Sequence, residues 1–229
     1  MNVAIIAAAG QGSRMGGKRP KQFLEVAGIP IIFHTLRPFE QCEAIQEIIV
    51  VVPAPEVAGF LSLAGKRELR KLTQVVPGGS TRAASVQRGL QVVRAATADI
   101  VAVHDGVRPF VTPEDIGKTV RAAEENDAAI LVAPVIDTIK EVSEEKVVRT
   151  LPRSQLRRAL TPQCFRYDLL RRAYENVDVA DPELTDESLL VERLGVPVVA
   201  VPGSSLNIKI TGHSDLALAE ELLKVFSRQ

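Results

Sequence analysis

Short apolar, β-branched runs recur along the chain at residues 3–9, 48–52, 74–76, 100–103, 129–133 and 198–201. Runs this short and this continuously apolar suit strands buried on both faces, as in a parallel sheet. Between them, residues 31–40, 82–95, 113–125, 184–194 and 215–226 carry helical periodicity. The 82–95 segment puts Ala83, Val86, Leu90 and Val93 on one stripe, the spacing of a helix lying on a sheet. Thr112-Pro113-Glu114-Asp115 supplies a hydroxyl cap, a proline at the first helical position and acids in the first turn. The alternation predicts a doubly wound, mostly parallel α/β sheet of Rossmann-like layout, a single domain over 1–229. Ligands in such a sheet bind at the carboxyl ends of the strands.

One stretch breaks the rhythm. Residues 137–151 form two short alternating runs around a polar turn at 143–146, which predicts a β-hairpin inserted at about 137–160. The chain then passes Pro152, Arg153 and the pair Arg157-Arg158 towards Thr161-Pro162. Such a hairpin can be an insertion without consequence, a lid, or a dimerisation arm.

Composition narrows the function classes. Of 229 residues, 46% are hydrophobic and 24% charged, which excludes disordered, collagen-like and disulfide-scaffold classes. Lys and Arg total 28 against 28 Asp and Glu, so no general excess of positive charge exists to neutralise nucleic acid or a membrane surface. Cys42 and Cys164 match no CxxC or metal-ligand spacing and read as thiols in a reducing cytosol. The apolar N-terminal run lacks a basic leader and is too short to span a bilayer, as is every later run; a cytoplasmic protein is expected.

The most informative segment follows the first strand: Ala7-Ala-Ala-Gly-Gln-Gly-Ser-Arg14-Met-Gly-Gly-Lys18-Arg19-Pro20-Lys21-Gln22. Glycines let backbone amides approach an anion, and four cations supply charge. Gly12 to Lys18 has the spacing of a P-loop, but Arg19 stands where that loop needs a magnesium-binding hydroxyl. Gly10-Gln-Gly begins like a dinucleotide fingerprint, yet Met15 occupies the third glycine position and the next strand ends Val52-Pro53 without an acid. What remains suits a nucleoside triphosphate on a different scaffold.

Ala8-Ala-Gly-x-Gly-x-Arg14-Met with Pro20-Lys21-Gln22-Phe resembles the signature of sugar-phosphate nucleotidylyltransferases. Further motifs follow in order: Gly78-Gly-x-x-Arg82-x-x-Ser85, His104-Asp-x-x-Arg108-Pro, Ala133-Pro-Val-x-Asp137-Thr-x-Lys140, Leu160-Thr-Pro-Gln, Thr185-Asp-Glu-Ser and Asn207-Ile-Lys-Ile-Thr. Together they resemble the 2-C-methyl-D-erythritol 4-phosphate cytidylyltransferase family of the non-mevalonate isoprenoid pathway, from residue 3 to about residue 224.

The resemblance implies attack by a sugar-alcohol phosphate oxygen on the α-phosphorus of CTP, with loss of pyrophosphate. An anionic nucleophile needs no general base, so catalysis rests on positioning and preorganised cations. By this match Arg14, Lys21, Arg153 and Lys209 are catalytic, and Ala8, Ala9, Gly10, Gly12, Gly79, Ser80 and Ser85 hold the nucleotide. Asp105, Arg108, Thr138, Arg153, Thr161 and Lys209 match acceptor positions. Asp105 could alternatively contact Mg²⁺, which the resemblance expects mainly on the CTP phosphates. Lys18 and Arg19 are equally compatible with solvated loop charge, and His104 receives no chemical role. Ser80 or Thr81 is expected to cap the helix that follows. Two positions depart from the family pattern: Ser80 replaces a frequent aspartate and Ala7 a frequent proline. The hairpin resembles an arm that embraces a second subunit, implying a homodimer with Arg153 supplied in trans. A ribitol 5-phosphate or other polyol-phosphate cytidylyltransferase, and a non-catalytic nucleotide-binding subunit, are the alternative readings.

Overall fold

A computed structural model describes residues 1–10, 19–175 and 177–226. The central sheet has seven strands: β1 (Val3–Ala7), β4 (Glu47–Val52), β5 (Leu72–Pro77), β6 (Ile100–Asp105), β7 (Ala128–Pro134), β10 (Arg157–Arg166) and β11 (Val199–Pro202). Their spatial order is β11-β7-β10-β6-β1-β4-β5, parallel except for β10, which runs antiparallel to β6 and β7. Two short ribbons flank the sheet, one formed by β2 (Glu25–Val26) and β3 (Ile29–Pro30), the other by β8 (Lys140–Ser143) and β9 (Lys146–Thr150).

Every residue of β4 and β6 is buried, as their continuous apolar runs require. In β1 the two faces separate cleanly. Ala4 and Ile6 join a core with α1 (Ile31–Gln41), α2 (Val57–Ala64) and α4 (Pro113–Asn126), built around Leu36, Phe39, Phe60, Ile116 and Val120. Val3 and Ile5 join a second core with α3 (Arg82–Gln91), α5 (Tyr167–Glu175) and α6 (Glu187–Glu192), including Val86, Leu90, Leu170 and Val191. Helices on both faces are what shield a parallel sheet from water. A small third cluster seats α7 (His213–Phe226) against the β2–β3 ribbon through Val26, Ile31, Phe110, Ile210 and Ala219.

The chain leaves β1 towards β4 and β5 on one side and returns through α3 to β6 on the other. That reversal is the topological switch point of the sheet, and it opens a crevice where β1 and β6 end side by side, Ala7 beside Asp105.

The elements differ from the sequence reading in instructive places. The first strand stops at Ala7 rather than residue 9, because Ala8 to Gly10 leave the sheet to line the crevice. Helix α3 ends at Gln91, four residues early, and α6 occupies only the middle of the expected 184–194 segment. Helices α2 and α5 and strand β10 were not anticipated. Strand β10 escapes recognition because it opens on Arg157-Arg158 and contains Pro162, which cannot donate to a ladder. The strand tolerates Pro162 through a bulge: pairing with β7 jumps from Ala159 to Gln163. Between Pro134 and the return at Arg157 stands the β8–β9 hairpin, turned by Glu144 and Glu145 at φ 47° and 63°. Two consecutive left-handed residues are the requirement of a type I′ turn, here met without glycine. The expected span of about 137–160 thus contains this hairpin together with the first residues of β10.

Candidate active site

A cleft of about 440 Å³ lies over the switch point, walled by Ala7 to Gly10, floored by Arg82 and Asp105, and bordered by Lys21, Gly79 to Thr81 and Lys209. Local sequence explains each wall. Pro20 begins a single tight turn over Lys21–Phe23. Phe23 is buried in the core and the buried Gln22 donates through Nε2 to the Ala8 carbonyl at 2.5 Å. With the two residues that follow it anchored inward, Lys21 is held at the rim. Its charge also bears on Asp215, whose carboxylate accepts from Thr211 N, Gly212 N and Thr211 Oγ1 and is held below its ordinary pKa by these bonds and that charge.

The opposite wall is the turn after β5. Thr81 caps α3, accepting from Ala84 N at 3.0 Å, and donates to the Val179 carbonyl at 2.6 Å. Ser85 is spent on the same turn: it accepts from Gly79 N at 3.1 Å and donates to the Thr81 carbonyl at 2.8 Å. Glycine is required at position 106, where a Cβ would come within 2.6 Å of the Ala8 Cβ.

The floor is electrostatic. Asp105 is 5% exposed, and its two oxygens serve three cations: Arg82 Nε at 2.9 Å, Lys209 Nζ at 2.8 Å and Arg108 Nε at 3.3 Å. Burial alone would raise its pKa, but these charges outweigh it and hold the carboxyl well below the usual range. Arg82 in turn grips both oxygens of the buried Glu187 through Nη1, at 2.7 and 2.8 Å. Glu187 and Asp105 together outweigh the cost of its burial and raise the Arg82 pKa. Tyr174 Oη donates to Glu187 at 3.1 Å, its own pKa raised by burial and that negative charge.

Behind the floor runs a chain of hydrogen bonds with a single direction. The Arg108 carbonyl can only accept, so His104 Nε2, 3.1 Å away, carries the proton. His104 Nδ1 is then an acceptor for Thr161 Oγ1 at 2.9 Å, leaving that oxygen to accept from Asp105 N at 3.2 Å. Thr161 lies two residues before Gln163, the first β10 residue in register with β6, and there its hydroxyl supplies the acceptor for the Asp105 N–H. Complete burial lowers the His104 pKa to about 4, keeping the ring neutral.

Asp105 is a poor ligand for Mg²⁺. Among the described residues no three His, Cys, Asp or Glu side chains converge as a metal site, and both oxygens of Asp105 are already engaged by cations. The possibility of Mg²⁺ on Asp105 does not suit this donor set.

The chain resembles known proteins along almost its whole length. The model of the 2-C-methyl-D-erythritol 4-phosphate cytidylyltransferase family matches residues 2–225. The chain belongs to this family. A cytidylyltransferase of that name from Bacillus cytotoxicus is 44% identical over 228 residues, covering 100% of both chains. Another, from Pelotomaculum thermopropionicum, is 43% identical over 223 residues, 96% of this chain and 93% of that one. Among solved structures, the 4-diphosphocytidyl-2C-methyl-D-erythritol synthase of Anaerococcus prevotii superimposes with a TM-score of 0.86 at 31% identity, covering 98% and 96% of the two chains. The Thermus thermophilus enzyme gives 0.78 at 34% identity over 96% and 98%.

Within this member of the cytidylyltransferase family, the cleft gathers Ala8, Ala9, Gly10, Lys21, Gly79, Ser80, Ser85, Asp105 and Lys209 of the residues expected from sequence. Arg14 and Gly12 lie outside the described residues. Arg108 and Thr161 stand behind Asp105 and support it rather than line the cleft. Thr138 and Arg153 are exposed on the hairpin segment and are not part of the cleft wall; Arg153 Nη1 donates to the Ile136 carbonyl at 2.6 Å. Lys209 lies on an extended stretch outside the regular strands, tied in by Ile210 N donating to the Val107 carbonyl at 2.9 Å. Sequence reasoning missed Arg82, Glu187, Tyr174 and Gln22 as parts of the site. Arg82 and Glu187 fall inside quoted motifs, and buried charge in a motif is the signal that could have found them. No helix among the described residues is long and apolar enough to cross a membrane.

Proposed function

We propose that this cleft transfers a cytidylyl group from CTP to 2-C-methyl-D-erythritol 4-phosphate, releasing pyrophosphate and 4-diphosphocytidyl-2-C-methyl-D-erythritol. The observation that carries the assignment is the convergence of Lys21 and Lys209 on one cleft with the Ala8 to Gly10 wall and the Gly79 to Thr81 turn. Two lysines suit two phosphate-bearing substrates, and the small-residue walls admit a nucleotide lying close against backbone. Lys21, joined by Arg14, neutralises the CTP phosphates as charge builds on the α-phosphorus and the leaving pyrophosphate. Lys209, clamped by Asp105, meets the acceptor phosphate. The acceptor oxygen is already anionic, so no base is called for, and His104 has both ring nitrogens occupied. Mg²⁺ is taken to arrive with the triphosphate, held mainly by its oxygens.

We further propose a homodimer formed through the hairpin. Ile136, Val142, Val147 and Val148 are 56–69% exposed there, an apolar surface that a partner would cover. Arg153 and Thr138 would then complete the neighbouring cleft. The reaction belongs in the cytoplasm, where CTP is available.

The test is a panel of 2-C-methyl-D-erythritol 4-phosphate and ribitol 5-phosphate against CTP, ATP, GTP and UTP, following pyrophosphate release. Turnover confined to CTP with the methylerythritol phosphate is expected. Turnover only with ribitol 5-phosphate would overturn the acceptor assignment, and nucleotide binding without turnover would make the chain a binding subunit.

A further inference from the structure

We propose that Glu187 is a positioning residue for the transfer reaction, acting through Arg82 and Asp105 on Lys209; this rests on Lys209 meeting the acceptor phosphate. Glu187 does not line the cleft, and its side chain is 1% exposed. A carboxylate so deep is a costly way to fill space, since an apolar side chain of similar volume stabilises as well or better. Its bonding gives it a different use.

The path is continuous. Tyr174 Oη and Arg82 Nη1 hold the Glu187 carboxylate, Arg82 Nε reaches Asp105 Oδ1 at 2.9 Å, and Asp105 Oδ2 meets Lys209 Nζ at 2.8 Å. The start of the path is rigid, because the first turn of the Glu187 helix is pinned to the β10 bulge. Gln163 Oε1 accepts from Glu187 N and Ser188 N, both at 3.1 Å, and Gln163 Nε2 donates to Asp186 at 2.8 Å. Asp186 also caps that helix on Leu189 N.

The charge balance indicates what the path does. Arg82, Arg108 and Lys209 carry three positive charges against one on Asp105, and Glu187 supplies the second negative charge. Without it, Arg82 loses the bond pair that fixes its guanidinium plane. The arginine then competes with Lys209 for Asp105 or swings towards the anionic substrates. Either movement shifts the Lys209 ammonium from the place where it meets the acceptor phosphate, and an ångström is enough to matter in group transfer.

The decisive experiment is a double-mutant cycle of Glu187→Gln with Lys209→Ala, each protein first checked for a native melting transition and for CTP affinity. Glu187→Gln is expected to lower kcat/KM for the methylerythritol phosphate by about ten- to a hundredfold, the range for losing a partner that orients an active group. The CTP dissociation constant should stay within about threefold. In the Lys209→Ala background the same change should cost little, because the residue it positions is gone. Tyr174→Phe, which leaves the carboxylate in place, should give a smaller loss that also vanishes in that background, and it serves if Glu187→Gln does not fold. Independent, multiplying losses would mean that Glu187 supports the fold generally and would overturn the inference. Full activity of Lys209→Ala alone would instead sink the assignment of Lys209, and with it this route.

Discussion

His104 offers a direct link between a buried proton arrangement and a measurable stability. Its ring is neutral with a pKa of about 4, set first by burial, against 6.5 for an exposed histidine. Between those values an unfolded chain takes up a proton that the folded one refuses. The unfolded state therefore binds more protons over this window, so stability falls as pH falls through it. From this residue alone, the loss between about pH 7.5 and about pH 5 comes to about 2 kcal/mol. Urea unfolding at the two pH values, at one protein concentration so that any association is held constant, measures it. His104→Gln removes the titration while keeping a group that can donate to the Arg108 carbonyl. The variant will be weaker at both pH values, since the Thr161 bond is disturbed, but its pH dependence should be shallower by about 2 kcal/mol. His34, whose pKa burial also lowers, and the carboxylates are common to both proteins and drop out of the difference. Equal pH dependence in the two proteins would refute the reasoning, because it would mean that His104 titrates alike folded and unfolded.

Three further outcomes follow from the proposed reaction and the cleft. Arg14→Ala and Lys21→Ala should each lower kcat by about a hundred- to a thousandfold while weakening CTP binding much less; calorimetric titration showing equal losses would contradict a transition-state role. Mixing inactive Arg153→Ala and Lys21→Ala chains should restore activity if Arg153 serves the neighbouring cleft. Proven heterodimers that stay inactive would put Arg153 within its own chain's reaction. Gly106→Ala should destabilise by about 1–3 kcal/mol and weaken CTP binding, since the new methyl must displace Ala8 and Ile32; an unchanged melting temperature would show that the wall yields freely.

The parallel core was legible because its strands advertise themselves. Residues such as Ile48 to Val52 must be apolar on both faces, in a run too short for a buried helix. Strand β10 was illegible for the converse reason. Its first residues are exposed, its proline sits in a bulge, and only three-dimensional context makes Arg157 to Arg166 a strand. Helix α6 shrank because only residues 187–192 complete helical bonding, although apolar residues continue on either side. Periodicity reports which face is buried, not where hydrogen bonding stops.

The site divides along the same line. Its two lysines were found because Lys21 and Lys209 stand in short motifs whose neighbours explain them: Gln22 and Phe23 anchor one, Ile210 the other. Asp105 was legible only as an acceptor or Mg²⁺ contact and Glu187 not at all, because their part in aiming those cations lies in pairing across the fold. Arg82 meets Asp105 at a separation of 23 residues and Glu187 at 105. No local pattern encodes such a pair, and Glu187 alone reads as an ordinary polar residue. The balanced charge of the whole chain carries the same lesson in small. At the cleft floor, three cations face two buried carboxylates, leaving a surplus of one positive charge among them, before Lys21 is added at the rim. A bare cluster of cations would bind phosphates tightly in whatever pose they arrived. Buried acids that hold each cation in place exchange some of that attraction for direction, which is what in-line transfer between two anions demands.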